Sequence, residues 1–240
     1  MVQRNSPPVS PRSTPSRAEV DAFIDQAAQT PAAYAASSGR GRLIFALDAT
    51  MSRQPTWDVA IAVQAKMFDT TAALGGLDVQ LVYFCGLTEC KASRFVSGGA
   101  GLAGVMSKIR VEGGNTQIGR VLTHARDEAR RGRVAALVYV GDCLEERIDP
   151  LCATAGELGL LGIKAFMFHE GNDRAATRGF QEIARLTGGA YATFDASSPK
   201  RLAELLSAAA AYAAGGHSGL LAQTRASDGS TAQNLLSQLR

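Results

Sequence analysis

The chain has few aromatic side chains and little net charge. Phe, Trp and Tyr make up 6% of its 240 residues, and 25 Lys and Arg stand against 22 Asp and Glu, which leaves a formal net charge of +3. The basic residues are also scattered, so no stripe of the kind that binds nucleic acid is indicated. We therefore expect no nucleic-acid partner.

Long hydrophobic runs are missing as well. No apolar run approaches the roughly 20 residues that a helix needs to cross a bilayer. The opening stretch, MVQRNSPP, lacks the apolar core of a signal peptide. These two absences predict a cytoplasmic protein with no membrane partner.

The sequence contains no complete nucleotide-binding motif. It also lacks the cysteine spacing of a disulfide or zinc framework. Residues 99–104 match G-x-G-x-x-G, but the strand before them is a short edge strand and no acidic residue follows at the required distance. Residues 113–119 lack the Lys and Ser/Thr pair of a phosphate loop. The four cysteines are not spaced as a framework, which predicts reduced, structural thiols: Cys85, Cys90, Cys143 and Cys152.

The length and the composition, 46% apolar and 20% charged residues, are typical of one globular domain with tails. Residues 1–15, rich in Ser, Pro and Arg, predict a disordered tail, and residues 16–39 predict a helix followed by a linker. The domain itself is predicted over residues 40–214. Residues 215–240 are expected to form a linker and a short C-terminal helix.

Within the domain, short apolar runs alternate with segments of helical periodicity. This alternation predicts an α/β fold with three layers, α/β/α and Rossmann-like, around a mostly parallel six-stranded sheet with one short antiparallel edge strand. The predicted strands cover 42–47, 79–85, 92–96, 134–140, 164–169 and 191–194. The predicted helices cover 55–74, 101–109, 118–131, 145–160, 175–187 and 199–214.

Polar side chains follow the first of these strands at alternate positions. The run RLIFALDATMS, residues 42–52, places Asp48, Thr50 and Ser52 on one short loop. Asp142 ends a later strand, and Thr116 opens a helix. Because open α/β sheets bind ligands at the carboxyl ends of their strands, these residues are expected to meet there. Their oxygens are the hard ligands that Mg²⁺ or Mn²⁺ prefers.

This order of residues resembles the metal-ion-dependent adhesion site (MIDAS) of the von Willebrand factor type A (vWA) family. The stretch IARLTGGAY, residues 183–191, is also similar to the pattern of that family before its last strand. The resemblance covers roughly residues 40–214 and is greatest to stand-alone intracellular bacterial members. One departure is Thr50, where the family usually has Ser; the β-methyl group stiffens its rotamer.

The resemblance implies a function in protein binding and not an enzyme. It implies an adaptor or scaffold module in which a Mg²⁺ or Mn²⁺ ion, held by metal ligands Asp48, Thr50, Ser52, Thr116 and Asp142, captures an Asp or Glu side chain of a partner protein. Three further side chains are candidates for a partner-binding rim: Arg53, Trp57 and His169. A core or plain surface role stays open for Arg53 and Trp57, and a turn or capping role for His169.

Two alternative functions remain open at the level of the sequence. One is a metal-free interaction scaffold. The other is a magnesium-dependent phosphohydrolase of the haloacid-dehalogenase type, which needs a second acid two residues after its nucleophilic Asp. Thr50 stands at that position, which disfavours catalysis. The oligomeric state is not indicated.

Overall fold

Six strands of the described chain form one sheet. The computed structural model describes residues 39–50, 54–195, 197–226 and 229–240, so the predicted N-terminal tail and nearly all of the segment 16–39 lie outside it. The strands are β1 Gly41–Asp48, β2 Leu77–Cys85, β3 Glu89–Val96, β4 Ala136–Gly141, β5 Lys164–Glu170 and β6 Ala190–Phe194. Their order in the sheet is β3-β2-β1-β4-β5-β6, and every neighbouring pair is parallel except β2 with β3.

Helices connect these strands and cover both faces of the sheet. They are α1 Gln54–Val63, α2 Ala65–Thr71, α3 Gly99–Met106, α4 Ile118–Arg131, α5 Ile148–Leu160, α6 Arg174–Thr187, α7 Pro199–Ala226 and α8 Ser230–Gln238. In the described part of the chain, none of the helices has the length and apolar character needed to span a membrane.

The alternation of side chains along the strands produces two separate cores. In β1, Leu43, Phe45 and Leu47 pack in a cluster with α1, α2, α3, α7 and α8, whereas Ile44 and Ala46 join the opposite cluster with α4, α5 and α6. A strand that is apolar on both faces is typical of a parallel sheet covered on both sides. The predicted three-layer α/β/α fold with an antiparallel edge strand is therefore confirmed.

The strand order fixes where a site can form. From β1 the chain moves to β2 on one side and, after β3, returns to β4 on the other side of β1. In open α/β sheets such a reversal opens a crevice at the carboxyl ends of the two strands between which it occurs. Here those two strands are β1 and β4.

Two predicted boundaries are wrong. The single helix expected over 55–74 is divided at Gln64 into α1 and α2 and ends in a 3-10 turn, Ala72–Leu74. The linker expected from residue 215 is also wrong over 215–226, because α7 resumes after a bend at Gly216, where φ is 60° and ψ is −150°. Its second part lies close to the first, since a Cβ added at Gly219 would stand 2.4 Å from the carbonyl oxygen of Ala211.

Candidate metal centre

Two carboxylates leave adjacent strands at the same edge of the sheet. Asp48 is the last residue of β1 and is only 1% exposed. Asp142 directly follows β4, which is parallel to β1, with Leu47 opposite Val140. The two aspartates therefore emerge side by side in the crevice between β1 and β4.

The pKa values of two neighbouring groups, the Tyr139 hydroxyl and the Cys143 thiol, are raised by both carboxylates. Burial raises the pKa of the Tyr139 hydroxyl well above its usual value, and the negative charges of Asp48 and Asp142 raise it further. The pKa of the Cys143 thiol rises to about 12, first through burial and then through Asp142 and, more weakly, Asp48. Both carboxylates therefore lie near enough to Tyr139 and Cys143 to raise the pKa of each.

The loop after β1 is held by the first of these carboxylates. The Thr50 N–H donates to Asp48 Oδ1 over 2.8 Å, and Thr50 is buried. An aspartate that accepts from the amide two residues on forms a local turn, which keeps the hydroxyl of Thr50 near its own strand end. Ser52 and Arg53 lie outside the described residues.

Thr116 is brought to the same edge by contacts with the loop that carries Asp142. The Thr116 N–H donates to Glu145 Oε2 over 2.8 Å, and the Glu145 N–H donates back to Thr116 Oγ1 over 3.2 Å. A hydroxyl oxygen has two lone pairs, so this one accepted bond leaves Thr116 able to bind a cation. The four described members of the predicted metal set are Asp48, Thr50, Thr116 and Asp142, and they thus lie on three loops at one end of the sheet.

Two glutamates that were not predicted, Glu145 and Glu146, hold the start of α4 and the residues just before it. Glu146 accepts hydrogen bonds from the Ile118 N–H and, over 3.0 Å, from the Gly119 N–H, at the start of α4. Burial raises the pKa of Glu146, while these two amides act in the opposite direction. The sequence does place two acidic residues shortly after Asp142, and carboxylates stabilise the N-terminus of a helix. The sequence does not show which helix these two carboxylates would reach, because that depends on the fold.

The prediction of a partner-binding rim is wrong for two of its three residues. Trp57 is 2% exposed and packs edge-on against Tyr83 in the core. His169 is fully buried, with Nε2 3.0 Å from the carbonyl oxygen of Asp142 and Nδ1 3.0 Å from the Tyr191 hydroxyl. Neither side chain can contact a partner, because each is covered by its own domain.

The buried ring of His169 supports the backbone at Asp142. A carbonyl can only accept, so Nε2 carries the proton, and in the neutral ring Nδ1 accepts from Tyr191. We expect His169→Leu to lower the free energy of unfolding by about 1–3 kcal/mol, because both partners lose their hydrogen bond in a partly buried place. His169→Gln, whose amide can still donate to Asp142, should lose clearly less in urea unfolding. Equal losses would show that only the volume of the ring matters.

Of the comparisons with known proteins, the one with solved structures identifies the fold. No protein-family model matches the chain, and no curated protein matches it. Among solved structures, a von Willebrand factor type A protein from Catenulispora acidiphila superposes with a TM-score of 0.58 and 15% identity, over 72% of this chain and 43% of that chain. The VWA domain of SpRpn10 gives 0.52 and 13% identity, over 68% of this chain and 95% of that domain. The chain has a von Willebrand factor type A fold.

A third similar structure was solved with a bound metal ion. Proximal thread matrix protein 1 from the mussel byssus, solved with a zinc-occupied MIDAS motif, superposes with a TM-score of 0.57 and 17% identity, over 72% of this chain. The present chain spans less than half of that protein (46%), as it does of the Catenulispora protein (43%). The zinc is a property of the mussel protein.

The residues of this vWA fold fit a hard divalent cation by the type of their donors. The four described members offer carboxylate and hydroxyl oxygens, the ligands that suit Mg²⁺ and Mn²⁺. Within the described ranges, no group of three or more His, Cys, Asp or Glu side chains is placed to hold a metal ion. The candidate set is of another kind, since it combines two carboxylates with hydroxyls.

Proposed function

We propose that the chain is a protein-binding module that depends on a divalent cation, Mg²⁺ or Mn²⁺. The cation site comprises the two aspartates at the ends of neighbouring strands together with three hydroxyl side chains: Asp48, Thr50, Ser52, Thr116 and Asp142. The ligand is an Asp or Glu side chain on a partner protein. The observation that carries this proposal is that β1 and β4 are neighbouring parallel strands, so that Asp48 and Asp142 leave the sheet at the same edge.

Each loop has a distinct part in this proposal. Asp48 and Asp142 supply the negative charge that attracts a cation, and the hydroxyls of Thr50, Ser52 and Thr116 supply neutral donors. A bound divalent cation supplies an electrophilic centre that attracts an external carboxylate. The reciprocal bonds between Thr116 and Glu145 keep the loop before α4 in register with the loop after β4.

We propose binding and not catalysis at this edge. A phosphohydrolase of the haloacid-dehalogenase type needs a general acid two residues after its nucleophile. That position holds Thr50, whose N–H donates to Asp48. A threonine hydroxyl cannot serve as that acid near neutral pH, so a protein ligand is the better-supported partner of the site.

The test is an isothermal titration of the chelator-treated protein with Mg²⁺ and, separately, with Mn²⁺. We expect one site per chain, together with a thermal shift, because a ligand present at 100 times its Kd adds about 2.7 kcal/mol to stability. Binding of a surface-immobilised Glu-containing peptide should then require the metal and disappear with EDTA. Absence of both heat and thermal shift would reject the metal-dependent function and favour the metal-free scaffold.

A further inference from the structure

The outer edge of β6 is partly covered by one side chain. In the sheet β6 is the terminal strand and pairs with β5. The Tyr191 N–H donates to Gln238 Oε1 over 2.9 Å, and Gln238 Nε2 donates to the Tyr191 carbonyl over 3.0 Å. The amide of Gln238, at the end of α8, thus takes the place that a neighbouring strand would occupy at this residue.

The next outward-facing position of β6 is Thr193. On the inner edge of β6, the carbonyl of Phe194 accepts from the Gly171 N–H, just beyond β5. Backbone groups along a strand alternate between its two edges, so those of Tyr191 and Thr193 point outward. Thr193 is exposed. Within the described ranges, no hydrogen bond joins its amide or carbonyl to an element outside the sheet.

Thr193 faces a groove that we call the β6 groove, a cavity of about 680 Å³ between α6, β6 and α8. Three arginines line it, Arg185, Arg201 and Arg240, and no Asp or Glu among the described residues does. Two of these arginines are ion-paired with carboxylates outside the lining, Arg185 with Glu182 at 2.5 Å and Arg201 with Glu204 at 3.9 Å; Arg201 also donates to the Thr231 hydroxyl. The groove therefore presents three guanidinium groups, two of them ion-paired, beside the open strand edge at Thr193.

We propose that the β6 groove binds an extended acidic segment of a partner protein, which adds to the sheet as a further strand at Thr193. The backbone of the segment pairs with the N–H and C=O of Thr193, the mode in which exposed sheet edges capture peptides. Its carboxylates meet the arginines, which hold planar carboxylates well. Because Arg185 and Arg240 flank Gly188, just before β6, a segment that meets them also passes Tyr191, where it replaces the amide of Gln238.

This surface is independent of the proposed metal centre. The metal centre uses the carboxyl ends of β1 and β4, whereas the β6 groove uses the side of the last strand, beyond β5. Binding at the β6 groove therefore needs no cation. It should persist in EDTA and in the Asp48→Asn variant, so failure of either proposal can be recognised separately.

The experiment uses a fluorescein-labelled heptapeptide of alternating Val and Glu, titrated with the full chain in EDTA at low salt and followed by anisotropy. Two variants are compared, Thr193→Pro and Thr193→Val. Proline is tolerated on an edge strand where its N–H would face outward. We expect Thr193→Pro to weaken binding about three- to tenfold relative to Thr193→Val, the effect of one lost hydrogen bond.

Three peptide and protein controls make the result decisive. A peptide with Lys in place of Glu should not bind, and one N-methylated at alternate amides should lose affinity, because it cannot form the ladder. Arg185→Glu combined with Arg240→Glu should weaken binding and reduce its dependence on salt. The proposal is overturned if the wild-type chain does not bind the acidic peptide, or if N-methylation has no effect. Should circular dichroism show Thr193→Pro to be unfolded, the methylated peptide decides alone.

Discussion

Replacing Asp142 by alanine, or Asp48 by asparagine, is expected to abolish cation binding and with it the capture of acidic partners. Each change removes one of two negative charges at the crevice between β1 and β4. Substitutions of residues that merely support a metal ligand cost about 10- to 100-fold in affinity. Loss of a carboxylate of the set should exceed that range, and isothermal titration with Mg²⁺ and Mn²⁺ measures it.

The choice of asparagine at Asp48 follows from its surroundings. Asp48 is buried at the end of β1 and accepts from the Thr50 N–H. Alanine would remove that bond as well as the charge, whereas asparagine keeps an acceptor of the same shape. Asp69→Asn, an exposed aspartate on α2, is the matched control and should bind the cation like the wild-type chain. Undiminished binding by the Asp48 and Asp142 variants would exclude the proposed site.

The sequence predicted the sheet well because each strand is a short apolar run bounded by turn residues. All six strands were expected near their observed positions, and α4 was expected with the bounds it has. The extension of α7 was not predictable in this way, since the pair Gly215 and Gly216 is an ordinary helix stop signal. The helix resumes beyond the bend, where Gly219 packs closely on Ala211, a contact that only the folded chain reveals.

The sequence was sufficient to place Asp48 and Asp142 at one edge of the sheet, but it was not sufficient for the side-chain directions of Trp57 and His169. Asp48 and Asp142 were expected to meet because parallel strands share an edge, and their neighbours Tyr139 and Cys143 respond to both. For His169, the direction could have been inferred from strand alternation, because Met167 on the same strand belongs to the core with α4, α5 and α6. The bonds between Thr116 and Glu145 join positions 29 residues apart, so no local pattern announces them.

The same substitution, Gly to Ala, is expected to have opposite effects at two positions of α5. A Cβ added at Gly159 would lie 2.4 Å from the carbonyl oxygen of Leu186, near the end of α6, closer than any real Cβ contact. The obstacle is backbone, so α5 and α6 have to separate. That shift also disturbs Thr187, whose hydroxyl accepts from the Ala165 N–H of β5 over 3.1 Å. Overpacking of this kind costs about 1–3 kcal/mol, and we expect Gly159→Ala to reach the upper end.

Gly156, one turn earlier in α5, is the internal control. A Cβ at Gly156 would meet no atom within 4 Å, so alanine there adds helix propensity and no clash. Gly156→Ala should therefore raise the free energy of unfolding by about 0.5–1 kcal/mol. In thermal unfolding each kcal/mol corresponds to about 2–4 °C for a chain of this size, so the two variants should melt clearly on opposite sides of the wild-type protein. If both variants raised the melting temperature, the close approach of α5 to α6 at Gly159 would be contradicted, because helix propensity alone would then govern both positions. If both lowered it, the open space at Gly156 would be contradicted instead.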